Sequence, residues 1–216
     1  MYQQVNSASA RDTAPAGIYV LFDPATKPEW LTVLRGLADV GVRWFQLRTK
    51  RATSLLRQDL LRQARGALPA GTVLICNDDI TAAASCDGVH LGPDDAEPAS
   101  ARERLGTSAW IGASCDDPTR ANAPEFAAVD YFGVGTWRRT ATKPDAGTPI
   151  TPDILRAFVS AAQRPVFAIG GIRIDDLPTI AATGAAGVAI ASAVWDAPDP
   201  VAAARRFVER WQEVAA

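Results

Sequence analysis

The chain has 216 residues, 48% of them hydrophobic and 21% charged, with a formal net charge of −2 and a pI near 5.4. That size and apolar content can bury a sizeable core, and single α/β barrels run to about 200–250 residues, so one domain is the simplest reading. The charge balance leaves no global basic field to hold nucleic acid, and no apolar run approaches the roughly 18 residues that a membrane helix needs.

Residues 1–16 lack an apolar core, which excludes a signal peptide, and they read as a disordered lead-in. The pattern then alternates. Ile18-Tyr-Val-Leu-Phe22 is a short apolar run rich in β-formers, closed by Asp23-Pro24. A helix is expected from about Glu29 to Asp39, with Leu31, Leu34 and Leu37 on one face and Gly41 as its stop. Val42–Leu47 is the next strand, and Thr53 or Ser54 caps a helix carrying Leu55, Leu56, Leu60, Leu61 and Ala64. Thr72–Cys76 reads as a strand, Ile80–Ala84 as a short helix and Gly88–Leu91 as a strand. A helix near Ala99–Leu105, a strand near Ala109–Ala113, a helix from Pro118 to about Phe126 and a strand at Ala128–Phe132 follow. Beyond the long segment Gly133–Gly147 come a helix near Pro152–Ala162, a strand Val166–Ile169, a helix near Asp175–Thr183, a strand Gly187–Ala191 and a helix from Pro200 to about Glu213. Short continuous apolar strands between amphipathic helices indicate a parallel sheet covered by helices. About eight strand–helix units predict a (β/α)₈ TIM barrel; an open doubly wound sheet would need two more polar edge strands.

In a barrel the active site lies where strands end and βα loops begin, and the chain's distinctive polar residues follow its strands. The second ends Gln46-Leu-Arg48-Thr-Lys50, the third Asn77-Asp78, the fourth His90-Leu-Gly92-Pro-Asp94-Asp95 and the fifth Gly112-Ala-Ser114. The sixth opens into a segment with Thr136, Thr140, Thr142, Arg138, Arg139 and Lys143; the seventh ends Gly170-Gly171 and the eighth Ala191-Ser192. Arg48 and Lys50, two apart, are able to face one side of extended chain and bind a phosphate or diphosphate, Arg as a planar fork and Lys as a point charge. Asp78 and Asp95 are candidates for Mg²⁺, a cation that prefers oxygen ligands; the competing use is helix capping by Asp78 or Asp79 and by Asp94 or Asp95. Asn77 is either a turn residue or an amide donor to a substrate ring. His90 lies inside a strand and reads as a core histidine. Gly170-Gly171 and Ser192 resemble the phosphate cup of barrels after strands seven and eight. Three cysteines, Cys76, Cys86 and Cys115, fit no CxxC spacing and read as reduced thiols of a cytoplasmic protein.

The stretches Gln-Leu-Arg-x-Lys (46–50), Asn-Asp (77–78), Gly-Val-His-Leu-Gly-x-x-Asp (88–95), Gly-x-Ser (112–114), Thr-x-Thr-Lys-Pro (140–144), Ala-Ile-Gly-Gly-Ile (168–172) and x-Ser-Ala (191–193) occur in this order. In this the chain resembles the thiamine phosphate synthase family from Gly17 onward. The resemblance implies a transferase of thiamine biosynthesis that joins hydroxymethylpyrimidine diphosphate to thiazole phosphate by a dissociative substitution, releasing diphosphate. It implies that Gln46 and Asn77 contact the pyrimidine and its diphosphate, that Arg48, Lys50 and Lys143 grip the diphosphate, and that Ser114 lies near the reacting centre. It implies further that Asp78 and Asp95 hold Mg²⁺, that Thr140, Thr142, Gly171, Ala191 and Ser192 surround the thiazole phosphate, and that the protein is a homodimer. Lys143, Arg48 and Ser114 are the catalytic candidates. A thiazole tautomerase-like homologue and a non-catalytic barrel that binds a phosphorylated ligand are the alternatives. The chain departs from the family pattern at Pro93, where a Gln is usual, at Cys115-Asp116, where a His often follows, at Ala191, and at Trp137-Arg138-Arg139. That last stretch reads either as added grip on phosphate or as a solvated loop.

Overall fold

A computed structural model describes residues 14–139 and 148–215. Eight parallel strands close into a barrel in sequential order, which is the expected (β/α)₈ architecture. The strands are β1 (Gly17–Phe22), β2 (Trp44–Leu47), β3 (Val73–Asn77), β4 (Gly88–Leu91), β5 (Trp110–Ser114), β6 (Tyr131–Val134), β7 (Val166–Ile169) and β8 (Gly187–Ile190). The helices are α1 (Trp30–Asp39), α2 (Ser54–Ala67), α3 (Ile80–Ala83), α4 (Pro98–Leu105), α5 (Pro152–Ala162), α6 (Leu177–Ala181), α7 (Ser192–Trp195) and α8 (Pro200–Val214). All but the last three residues of the expected lead-in, 1–16, lie outside the described residues. Ala14 is inside them, and its carbonyl accepts from the Trp44 indole at 3.0 Å.

Local chemistry sets the helix ends. Thr53 accepts from the Leu56 amide, Thr151 from Ile154 and Asp199 from Ala202, and Pro152 and Pro200 occupy the first turns that these caps open. Gly41, at φ +104°, turns the chain out of α1 as expected. In α2, Leu61 and Ala64 are fully buried, whereas Leu55 is 73% and Leu56 49% exposed, so the apolar face is narrower than the run of leucines suggests. The helix expected at 118–126 is instead two short 3₁₀ turns, Pro118–Arg120 and Pro124–Phe126. Pro124 cannot donate within a helix and drives Ala123 into extended backbone (ψ 149°), which breaks the run. The helix expected at 175–183 is likewise a 3₁₀ turn, Ile174–Asp176, leading into the five-residue α6. The sixth strand starts three residues later than the apolar run and carries on through Gly133 to Val134.

Two apolar layers result. One joins the outer strand faces to the helices, from Val20, Phe45 and Leu74 to Leu34, Leu61 and Phe207. The other fills the barrel with Tyr19, Leu21, Trp44, Val73, Ile75, Trp110, Tyr131, Phe167 and Ala189. Edge-on contacts bind these rings, Trp44 to Trp110 at 5.3 Å, Trp44 to Tyr131 at 5.3 Å and Tyr19 to Phe167 at 5.2 Å between centroids. The barrel is therefore plugged below, and its cavity opens at the carboxyl ends of the strands.

Candidate active site

The cavity at that end measures about 990 Å³. Its lining joins residues from nearly every strand end: Gln46, Arg48, Asn77, Asp78, Asp95, Ser114, Gly171, Ala191 and Ser192 among the expected set. Lys50 is not part of this lining. It faces an adjoining groove of about 730 Å³, which shares Arg48, Ala191 and Ser192 with the main cavity. Thr140, Thr142 and Lys143 lie outside the described residues.

The floor is built by alternation within strands. Trp44 and Gln46 of β2 both point inward, so the amide sits one layer above the aromatic plug. Gln46 is buried, and its Nε2 donates to the Tyr19 hydroxyl at 2.8 Å. The Tyr19 and Tyr131 hydroxyls lie 3.1 Å apart. Burial raises both phenol pKa values far above their ordinary level, so these groups stay neutral hydrogen-bonding hydroxyls.

His90 is not the inert core residue that its flanking apolar neighbours suggest. It projects into the barrel, lines the cavity and places Nε2 3.1 Å from Ser114 Oγ. Two glycines make room for it. A Cβ on Gly112 would lie 2.3 Å from Tyr131 Cζ and 2.5 Å from His90 Nδ1, and one on Gly133 would lie 3.1 Å from His90 Cε1. The sequence signal was present as an inward strand position flanked by inward glycines on the next two strands, but it becomes legible only with the register Gly112↔His90 and Gly112↔Tyr131.

The carboxylates sort themselves. Asp79, not Asp78, caps α3, accepting from Ala82 N at 2.9 Å, from Ser54 Oγ at 2.5 Å and from Arg57 at 3.0 Å. Asp78 is thereby left to face the cavity. Its backbone sits at φ +65°, in the left-handed region that Asp tolerates, with its N–H bonded to His90 O at 2.9 Å. Asp95 does not cap α4 either; it turns back to accept from Gly92 N at 2.7 Å. The Asp78 and Asp95 carboxyls meet. Burial of the Asp78 carboxyl, then its hydrogen bond and repulsion with Asp95, outweigh nearby Arg48 and push its pKa up to about 7. Two facing carboxyls that resist joint ionisation suit a hard divalent cation. Among the described residues no cluster of three or more His, Cys, Asp or Glu is placed to hold a metal, so waters or substrate oxygens would complete the shell.

On the far rim, Gly170 and Gly171 have φ +103° and +63°. A Cβ on Gly170 would lie 2.0 Å from Thr136 Oγ1, so only glycine fits this turn. Thr136 is buried, and its hydroxyl donates to Arg138 O at 2.7 Å. Cys115 borders the cavity too, but burial raises its thiol pKa and keeps it protonated; Cys76 is pushed up to about 12, also by burial. The described residues thus offer no thiolate nucleophile.

A closed parallel barrel with buried amide, hydroxyl and imidazole groups on its floor and paired carboxyls, an arginine and a Gly-Gly turn on its rim defines a (β/α)₈ enzyme with its site at the strand carboxyl ends. Residues 18–194 match the family model for thiamine monophosphate synthase, and the chain belongs to that family. It is 37% identical over 206 residues to the thiamine-phosphate synthase of Halorhodospira halophila, covering 91% of this chain and 95% of that one. It is 42% identical over 195 residues to the thiamine biosynthesis bifunctional protein ThiM/ThiE of Symbiobacterium thermophilum, covering 89% of this chain but spanning only 40% of that longer protein. A solved thiamine phosphate pyrophosphorylase from Pyrococcus furiosus superposes with a TM-score of 0.81 at 29% identity, covering 93% of this chain and 98% of the other.

Proposed function

We propose that this chain joins hydroxymethylpyrimidine diphosphate to thiazole phosphate, giving thiamine phosphate and diphosphate. The observation that carries this reading is the convergence on one cavity of the Asp78–Asp95 pair with Arg48, Asn77 and Gln46 on one side and Gly171 and Ser192 on the other. The cavity, at about 990 Å³, has room for two small substrates side by side.

Gln46, its amide nitrogen committed to Tyr19, presents its carbonyl oxygen as an acceptor for the pyrimidine, and Asn77 lies on the next strand. Arg48, with Lys50 and Lys143, neutralises the leaving diphosphate. Asp78 and Asp95 are the residues that would hold Mg²⁺, which supplies further positive charge where the leaving group's charge grows. The bond between the pyrimidine methylene and the diphosphate oxygen breaks, and the thiazole nitrogen then forms the new bond to that methylene. Such a reaction needs no strong general base, in keeping with a site of neutral phenols and protonated thiols. The Ser114 hydroxyl, oriented by His90, lies beside the reacting centre. Gly171, Ala191 and Ser192, with Thr140 and Thr142, hold the thiazole phosphate, and proximity supplies the rest of the rate. The protein acts as a cytoplasmic homodimer in this reading; among the described residues no helix is long and apolar enough to cross a membrane.

Purified protein supplied with both substrates and Mg²⁺ should release diphosphate and yield thiamine phosphate. Absence of product, with thiazole isomerisation or ligand binding alone, would overturn the proposal.

A further inference from the structure

Arg138 is tied to the rim by an ion pair, although its side chain is still partly exposed. Its Nη1 pairs with Asp176 Oδ2. The same Oδ2 accepts the Arg173 backbone N–H at 2.8 Å. The Trp137 side chain adds a further hydrogen bond to this carboxylate. The Asp176 side chain is only 9% exposed, against 42% for Arg138, so the acid is the fixed end of the pair. Burial alone would raise the Asp176 pKa, but the Arg138, Arg173 and Trp137 hydrogen bonds outweigh it and hold the group below the usual carboxylate range.

The backbone beneath makes a second set of ties. Trp137 N donates to Ile169 O and Arg138 N to Gly170 O, each at 2.8 Å. Arg138 therefore grips the rim twice. Its amide holds the start of the turn at Gly170, and its guanidinium holds the end of it at Asp176 and, through the shared oxygen, at Arg173. Between those points run Gly170 and Gly171, two successive glycines at positive φ. A turn of that kind loses binding energy to ordering unless something orders it beforehand. Gly171 and Ile172 line the cavity from inside this bracket.

We propose that the Arg138–Asp176 pair is a positioning device for the phosphate end of the site: a strap across Gly170–Arg173 that holds the Gly170–Gly171 turn in the shape that receives the thiazole phosphate group. This rests on the synthase reading for the identity of the ligand. Arg138 and Asp176 act through the turn and touch neither substrate.

The test compares wild type with Arg138→Ala, Arg138→Lys and Asp176→Asn. Thiazole phosphate and pyrimidine diphosphate are varied separately in steady-state assays, and binding of thiazole phosphate alone is followed by calorimetry, which needs no turnover. Arg138→Ala should raise the KM and Kd for thiazole phosphate about tenfold, leaving kcat and the KM for pyrimidine diphosphate within about twofold. Arg138→Lys should recover part of that loss. Asp176→Asn, which still offers an oxygen to Arg173 N–H but no charge, should resemble Arg138→Ala. A lowered melting temperature with unchanged Kd, or equal rises in both KM values, would overturn the strap and leave the pair a structural tie. Wild-type protein that binds thiazole phosphate without making product would sink the synthase reading while the Kd series still decides the strap. Wild-type protein that does not bind it at all would overturn both.

Discussion

The Asp78 carboxyl sits against the Asp95 carboxyl across the ends of β3 and β4, and that contact couples the metal-free protein to pH. Asp78 carries a pKa of about 7 in the fold against 3.8 for the ordinary group. Between those values the folded chain binds more protons than the unfolded one, so this pair erodes stability as pH rises from about 4 to about 7. Mg²⁺ held by these two carboxylates would need the ionised pair, so its affinity should climb over that range and level off above it. Thermal melts from pH 5 to 8 with and without Mg²⁺ should show stabilisation by the ion that grows with pH and disappears in Asp78→Asn. Stabilisation independent of pH would reject the pair as the metal site.

Arg48→Ala and Lys143→Ala should each lower turnover by about 100-fold, the order expected when one charge-stabilising group is removed from a developing anion. Arg48 is only half-buried on the rim, and such positions usually change stability by about 0.5 kcal/mol or less. Full activity in both variants would refute the diphosphate assignment.

His90→Ala should lower kcat at least about tenfold, or roughly 1.4 kcal/mol of barrier, by freeing the Ser114 hydroxyl that His90 now orients at 3.1 Å. The effect should be far smaller in a Ser114→Ala background, because both changes remove one interaction. Independent, additive losses in the double variant would show that the imidazole acts elsewhere.

Gly112→Ala should be among the most damaging single-methyl changes in the chain. The added Cβ would fall 2.3 Å from Tyr131 Cζ and 2.5 Å from His90 Nδ1, so the barrel floor must shift. Overpacking of this kind costs about 1–3 kcal/mol, measurable by urea unfolding, and turnover should fall with it. A Gly106→Ala control, where no atom lies within 4 Å but φ is +79°, separates crowding from backbone strain.

Alkylating agents should leave the native protein active, since burial holds Cys76, Cys86 and Cys115 as thiols. Rapid inactivation that tracks modification of Cys115 would show an exposed, ionised thiol and contradict this packing.

Much of this protein is decided by local chemistry that sequence records directly. Alternating apolar strands and amphipathic helices, the caps at Thr53, Thr151 and Asp199, and the stop at Gly41 each depend on neighbours within a few positions, and so does the placement of Gln46, Arg48, Asn77, Asp78, Ser114, Gly171 and Ser192 in or just beyond the carboxyl ends of their strands. Proline acts locally too: Pro124 splits the expected 118–126 helix into two turns. Tertiary structure alone decided which polar groups meet. Asp78 faces the cavity because Asp79 is drawn to Ser54 and Arg57 of α2. His90 reaches Ser114 because β4 pairs with β5 in the register that sets Gly112 opposite it. Arg138 pairs with Asp176, 38 positions away. Each of these is a choice between partners distant in the chain, fixed by strand register and packing, and no local pattern encodes it.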